Sequence, residues 1–315
     1  MSVWVQIPCF NEESTIFNVL REIPEYVGEF KVNVLVIDDG SIDNTVGVVR
    51  LNFPEVHIVM MGTNHGLARA FQAGVEYCIQ AGARVIVNTD GDGQYLGEEI
   101  TDLILPILNG QADVVIGTRK FSEIDEFSFI KKQLQRVGSK VVSLLTSVRI
   151  EDATSGFRGY RATHISEVVI NSRFSYTLES LVQLSFLNAR IMAVPISRRN
   201  STRKSRLFSS NLEYIRKNGA TLLRTSLQFR PFLSFGLIGV TLFFLAIISW
   251  LPYLVDLLDG QSSPHLQSVI VGGVLMVGAI VTSSMSLIAD AILQIRIQNN
   301  KSHAKNITNV NPIQK

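Results

Sequence analysis

Cysteine is almost missing from this chain of 315 residues: Cys9 and Cys78 are the only two. Two thiols make no disulfide framework, so an apolar core must carry the fold, and both read as small buried residues in a reducing compartment. The five histidines are scattered without metal-ligand spacing. Neither sign of charge dominates: 29 basic and 27 acidic residues leave a net charge of +2, so nothing in the bulk electrostatics suggests a nucleic-acid protein, and no nucleic-acid partner is expected. The opening MSVWVQIPCFNEE has no basic segment followed by a long apolar stretch and a small-residue cleavage site, so the chain is expected to start in the cytosol. A long uncharged run is also lacking, until residue 232.

What is present before that point is alternation. The short apolar runs VWVQIP, VNVLVID, VHIVMM, RVIVNTD and DVVIGT are separated by helix-period segments such as ESTIFNVLREI, ARAFQAGVEYCIQAG and EEITDLILPILNG. Near-continuous apolar strands between helices mark an α/β fold, a mainly parallel sheet with helices on both faces. Ligands of such sheets bind beyond the carboxyl ends of the strands. Here those ends are polar: Pro8 to Glu13, Asp38-Asp39-Gly40-Ser41, Asp90-Gly91-Asp92 and Gly117-Thr118-Arg119. Further on, a helix is expected from about Lys131 to Thr146, the polar cluster EDATSGFRGY precedes another helical stretch, and ARIMAVPIS could add an edge strand.

Phe232 to Tyr253 and Leu266 to Ala289 contain no charged residue, and each can cross a hydrocarbon core of roughly 30 Å as a helix. The link between them carries Asp256 and Asp259 but no Lys or Arg, whereas Arg224 and Arg230 precede the pair and Arg296 and Lys301 follow it. Positive-inside reasoning places the large domain and both termini in the cytoplasm, on a cytoplasmic membrane crossed twice. The expected organisation is a catalytic domain over 1–207, a juxtamembrane amphipathic helix over 208–230 suited to the headgroup interface, a two-helix hairpin over 231–291, and a polar tail over 292–315, disordered after Asn299.

The chemistry lies at the strand ends. Asp90 and Asp92, two carboxylates one residue apart, can turn toward one hard cation such as Mg²⁺ or Mn²⁺. A plain polar turn is the alternative, and position in the fold decides between them. An EF-hand fails, because its sixth and twelfth positions are Tyr95 and Thr101. Asp39 can accept hydrogen bonds from a base or ribose, while Ser41 or Asp43 can cap the next helix. Arg119 is a permanent cation suited to a diphosphate. The basic cluster Arg198, Arg199, Arg203, Lys204 and Arg206 can close over the same phosphates or face anionic lipid.

With IPCFNEE, VIDDGSIDNT, NHGLARAFQAG, NTDGDGQY, GTR, DATSGFR and two C-terminal spans in this order, the chain resembles the family 2 glycosyltransferases of the Rossmann-like GT-A fold. More narrowly, it resembles the polyprenyl-phosphate sugar transferases, the group of dolichol-phosphate mannose synthase and the bactoprenol glucosyltransferases. The resemblance implies transfer of a hexose, with inversion, from a nucleotide sugar such as UDP-glucose or GDP-mannose to polyprenyl phosphate, with Mg²⁺ or Mn²⁺ as cofactor. Pro8, Phe10, Asn11, Glu12, Ile37 and Asp39 then match the nucleotide grip, with Phe10 where tyrosine is frequent. Asp90 and Asp92 match the D-x-D metal pair around Gly91, where alanine is commoner, and Gln94 matches the polar residue that assists it. Arg119 matches an arginine at the diphosphate, and Arg203 and Arg206 approximate a basic motif that receives phosphate. On the acceptor side the matches are Asp152, Ser155, Gly156, Arg158 and Glu179.

An acceptor phosphate has its second pKa near ~6, so it is largely dianionic at neutral pH and hardly needs a base. Asp152 is therefore expected to position acceptor or sugar rather than to remove a proton. A processive polysaccharide synthase is disfavoured by the absence of a Q-x-x-R-W motif and by only two spans. A non-catalytic nucleotide-sugar-binding scaffold is disfavoured by the intact acids and Arg119, and a homo-oligomer is compatible with two spans per chain.

Overall fold

The computed structural model describes residues 2–119, 139–140, 143, 150, 152–170, 176–197, 199, 219–220, 223–224, 226–259 and 265–310. The chain forms two compact units, Met1–Leu222 and Leu223–Lys315.

In the first unit the five apolar runs of the sequence become strands: β1 (Ser2–Cys9), β3 (Phe30–Asp38), β4 (His57–Met60), β5 (Ala83–Asn88) and β6 (Val114–Arg119). Two short strands complete the interior and one flank, β2 (Tyr26–Val27) and β7 (Arg158–Arg161), and β8 (Ile191–Ile196) forms the far edge. The order is β2-β3-β1-β5-β7-β6-β8, with β4 also on β3. β1 runs parallel to β3 and β5, and β7 lies antiparallel between β5 and β6. β6 therefore points the same way as β5, and the carboxyl ends of β1, β3, β5 and β6 share one edge. The register pairs Arg158 with both Asn88 and Ile116, so the loop leading into β7 lies at that edge between β5 and β6.

Alternate side chains of each strand feed two apolar layers, which explains the continuous runs. One layer joins Val3, Val5, Ile7, Val36 and Val87 to helices α1 (Ile16–Glu22) and α4 (Ile100–Leu108). The other joins Trp4, Leu35, Ile37, Ile86 and Ile116 to α3 (Leu67–Gln80) and, beyond the short α5 (Ala162–Ile165), to α6 (Tyr176–Phe186). Helix α2 (Thr45–Asn52) follows β3. Both cysteines are buried, Cys9 in the first layer and Cys78 in the second.

The second unit contains α7 (Pro231–Leu258) and α8 (Leu266–Val310). Pro231–Leu258 and Leu266–Ile295 are long and apolar enough to cross a membrane, with mean hydropathies of 2.4 and 2.0. Small residues and side-chain hydroxyls hold the pair, as in membrane helix packing. Ser286 Oγ donates to the Phe232 carbonyl at 3.0 Å, and Trp250 Nε1 to that of Val269 at 3.2 Å. A Cβ on Gly239 would lie 2.5 Å from Ser283 Oγ, so a larger residue there would spread the helices.

One expectation is corrected: the polar segment after Asn299 is not disordered but continues α8 to Val310. No glycine or proline interrupts the chain between Gly278 and Pro312, so nothing in the backbone stops the helix earlier. Most of the expected 131–146 and 208–230 helices lie outside the described residues; residues 139–140, 143, 219–220, 223–224 and 226–229 within them are helical.

Candidate functional site

The shared strand edge is built from loops that grip one another. Asn11 adopts a left-handed backbone (φ +56°), in which its N–H donates to Ser41 Oγ at 2.9 Å while its Oδ1 accepts from the Ile42 N–H at 2.9 Å. The Glu12 N–H donates to Thr45 Oγ1 at 2.8 Å. The loop after β1 is thus stitched to the loop after β3. Asp39 extends the stitching to the segment before α3, accepting from the N–H groups of His65 at 2.8 Å and Gly66 at 2.9 Å. Gly40 permits this approach: its φ is +77°, and a Cβ there would stand 2.6 Å from the Thr63 carbonyl carbon. A carboxylate has about four acceptor positions, so Asp39 can order this segment and still accept from a base.

At the end of β5, Asp90 and Asp92 differ in surroundings. Asp90 is half-buried, and burial, then the charge of Asp92, raise its pKa to about 7 against the opposing pull of Arg119. Asp92 is held by Gln94, whose backbone N–H donates to Oδ1 at 3.1 Å and whose side-chain amide donates to Oδ2. Thr15 Oγ1 donates to the Gly91 carbonyl at 2.7 Å, fixing the turn between the two acids from the β1 side. Crowded carboxylates with one pKa driven up are what a bound cation would relieve. Among the described residues no cluster of three or more His, Cys, Asp or Glu could hold a metal ion. Two carboxylates in one turn suit a hard cation that takes its other ligands from water and substrate oxygens, the habit of Mg²⁺ and Mn²⁺.

Opposite them, Arg119 and Asp152 form a two-pronged ion pair. Nε donates to Oδ2 at 2.6 Å and Nη2 to Oδ1 at 3.0 Å, and Nη2 also reaches Thr154 Oγ1 at 3.1 Å. Burial alone would raise the Asp152 pKa, but the charge and hydrogen bonds of Arg119 outweigh it and hold the carboxyl below its ordinary range. The 152–157 loop also meets Asp90 directly: a Cβ on Gly156 would lie 3.2 and 3.3 Å from the two Asp90 oxygens. Tyr95, beside Gln94, stacks on Phe157 with ring centroids 4.8 Å apart.

Several expected residues play supporting parts. Arg158 does not open to the cleft; it is fully buried and donates to the carbonyls of Thr177 and Ala153, each at 2.7 Å, tying the loop to α6. Ser155 is also fully buried and accepts from the Phe157 N–H at 3.3 Å. Ile37 faces the core against α3, Pro8 is buried at the end of β1, and Glu179 is buried in the first turn of α6. Arg203 and Arg206 lie outside the described residues. The segment leading toward them is anchored at the acid turn: the Arg199 N–H donates to the Gln94 carbonyl at 3.0 Å, and its guanidinium pairs with Glu22 at 2.8 Å. Sequence reading passed over Asn88, Tyr95, Thr154 and Tyr176. For Asn88 a signal existed: it breaks an apolar strand run one residue before Thr89 and Asp90.

Residues 4–169, more than half of the chain, match the family profile described as "Glycosyl transferase family 2". The chain belongs to that family. As a family 2 glycosyltransferase it is 28% identical over 206 residues to an undecaprenyl-phosphate mannosyltransferase of Micrococcus luteus, covering 62% of this chain and 83% of that one. It is 26% identical over 215 residues to a UDP-N-acetylglucosamine–dolichyl-phosphate N-acetylglucosaminyltransferase of Methanococcus voltae, covering 62% and 84%. Among solved structures, glucosyl-3-phosphoglycerate synthase from Mycobacterium tuberculosis, in complex with Mn²⁺, UDP and glucosyl-3-phosphoglycerate, superposes with a TM-score of 0.55 at 16% identity. The match covers 72% of this chain and 78% of that one, and establishes a GT-A-like fold for the family 2 domain.

Proposed function

We propose that this family 2 glycosyltransferase moves a hexose from a nucleotide diphosphate sugar to polyprenyl phosphate at a membrane surface. The observation that carries the reading is the convergence of Asp90 and Asp92 with the Arg119–Asp152 pair through Gly156, in a chain that also has two membrane-length helices. The names of the polyprenyl-phosphate and dolichyl-phosphate relatives support the lipid acceptor.

Asp90 and Asp92 would hold Mg²⁺ or Mn²⁺, which when bound supplies positive charge to the leaving diphosphate. Arg119, fixed by Asp152 and Thr154, adds a preorganised cation on the same side. Asp39 and the loops stitched to it would receive the nucleoside, with UDP-glucose and GDP-mannose as the leading donors. The acceptor phosphate, largely dianionic at neutral pH, attacks the anomeric carbon and inverts it. Asp152 is already ionised and engaged on both oxygens, so it orients Arg119 and accepts no proton from the acceptor.

The helices α7 and α8 would keep the enzyme where a lipid with an unextractable tail presents its headgroup. A cytoplasmic side for the domain is supported by Lys and Arg on the flanks and by acids without Lys or Arg in the link. The test is nucleoside diphosphate release from a panel of nucleotide sugars. Release that needs both polyprenyl phosphate and Mg²⁺ or Mn²⁺ supports the reading, and no release from any donor favours a binding scaffold.

A further inference from the structure

At the centre of the sheet, polar groups replace hydrocarbon. Asn88 is fully buried at the end of β5, and its Nδ2 donates to the Tyr176 hydroxyl at 2.8 Å and to the Gly156 carbonyl at 3.0 Å. Its Oδ1 accepts from Gln6 Nε2 at 3.1 Å, which sets the amide's orientation from β1. Tyr176, in the first turn of α6, donates in turn to the Gly156 carbonyl at 3.3 Å. Its ring is stacked on Phe71 of α3 with centroids 4.0 Å apart and planes 13° from parallel.

The stack needs only a ring, which phenylalanine would supply equally. What the hydroxyl adds is a hold on one carbonyl, and that carbonyl belongs to the residue that meets Asp90. A single Cβ at position 156 would stand 3.0 Å from the Tyr176 hydroxyl oxygen and 3.2 Å from Asp90 Oδ1. The Tyr176 hydroxyl and the Asp90 carboxylate therefore flank the same bare position at Gly156. Four residues further back on the same loop, Asp152 carries Arg119.

We infer that Tyr176 is a positioning residue for transfer: its hydroxyl, with Asn88, sets how closely the 152–157 loop approaches Asp90, and so where the acceptor phosphate stands relative to the donor. This rests on the sugar-transfer reading above. Arg119 keeps its own bonds to Asp152 and Thr154 at the start of the loop, and the nucleoside grip lies on other loops, so loss of the hydroxyl shifts the Gly156 end, toward the acceptor, and leaves the donor side in place.

Tyr176→Phe tests this when the KM for polyprenyl phosphate is measured beside equilibrium binding of Mn²⁺ with the nucleoside diphosphate. A KM does not depend on the fraction of active protein, so a merely structural role does not move it. The acceptor KM is expected to rise at least about fivefold while nucleotide affinity stays within about twofold. An unchanged acceptor KM overturns the inference, as does an equal change in both constants. A Tyr176→Phe protein that does not fold contradicts it too, because the hydroxyl would then serve folding rather than placement. Wild-type protein that transfers sugar to no lipid acceptor refutes the function itself, whereas a transferring wild type with a normal variant refutes only this step.

Discussion

The sulfur of Cys9 fills the space that a side chain on Gly91 would need: a Cβ at position 91 would lie 2.8 Å from Sγ. The last residue of β1 and the middle residue of the acid turn thus share one volume. Burial first, then the carboxylates of Glu12, Asp38 and Asp90, push the Cys9 thiol well above its usual pKa, so it packs as a neutral group. Gly91→Ala alone is expected to overpack this contact and cost roughly 1–3 kcal/mol, with weaker Mn²⁺ binding. Cys9→Ala in the same chain should restore both. Thermal unfolding and metal titration of the two single variants and the double check it; a double variant no better than Gly91→Ala removes the shared-volume account.

Asp152→Asn would leave Arg119 buried beside a neutral amide. Removing one partner of a buried pair costs about 3–5 kcal/mol, and part of that should appear as lowered stability. On the proposed reading, in which Asp152 positions Arg119 and takes no proton, the catalytic loss is expected to be smaller than for Asp92→Asn. Turnover per folded molecule, measured with nucleotide binding as a control, distinguishes the two. If Asp152→Asn abolishes turnover as thoroughly as Asp92→Asn while nucleotide still binds, the positioning role is wrong.

Asp90 gives a pH dependence. With its folded pKa raised to about 7, the free protein holds a proton there that a cation must displace. Affinity for Mn²⁺ is therefore expected to increase as pH rises through 7 and to level off above it. The sign for folding is opposite: a carboxyl raised in the folded state contributes most below the unfolded pKa, near ~3.9, and loses that contribution as pH climbs to about 7. Added Mn²⁺ should accordingly raise the unfolding midpoint more at pH 8 than at pH 6. Asp90→Asn should flatten both profiles.

At the other end of β6 an acid serves structure alone. Asp113 takes Arg161 Nε at 2.7 Å and Arg190 Nε at 2.9 Å, which clamps β7 and the start of β8 to β6. These bonds, first among them that of Arg190, hold its pKa well below the ordinary carboxylate range. A depressed pKa contributes stability above the unfolded value, and it is lost as pH falls through the folded one. Asp113→Asn is expected to cost roughly 1.5–3 kcal/mol in denaturant unfolding at neutral pH, with the cost beginning to shrink only as pH falls below about 4. Turnover per folded molecule should be unchanged, and a selective fall in turnover would show that the clamp reaches the cleft.

These particulars show what could be read before folding. β1, β3, β4, β5 and β6 announce themselves because both faces of the sheet are covered, so their residues are apolar in succession. β7 does not, since Arg158-Gly159-Tyr160-Arg161 begins and ends with arginine. The guanidiniums find their partners outside the strand: Arg158 donates to the carbonyls of Ala153 and Thr177, and Arg161 to Asp113. The acids and Arg119 stand at strand ends and are legible from motif and place together. Tyr95 and Tyr176 are not, because their value lies in contacts that only the sheet order brings side by side, and Asn88 shows only as a polar break in an apolar run. Helix α8 past Asn299 was misjudged on polarity, although the lack of a breaker favoured continuation.

The central claim is that one cleft joins a nucleotide sugar to a lipid phosphate. Its most direct test uses purified full-length protein in lipid with Mn²⁺, labelled nucleotide hexose and polyprenyl phosphate, following label into the organic phase and its anomeric configuration. Label is expected in the lipid fraction only when polyprenyl phosphate and cation are both present, with the anomeric configuration inverted from the donor and label lost in Asp92→Asn. Free hexose in water, transfer indifferent to the lipid phosphate, or retained configuration would contradict it.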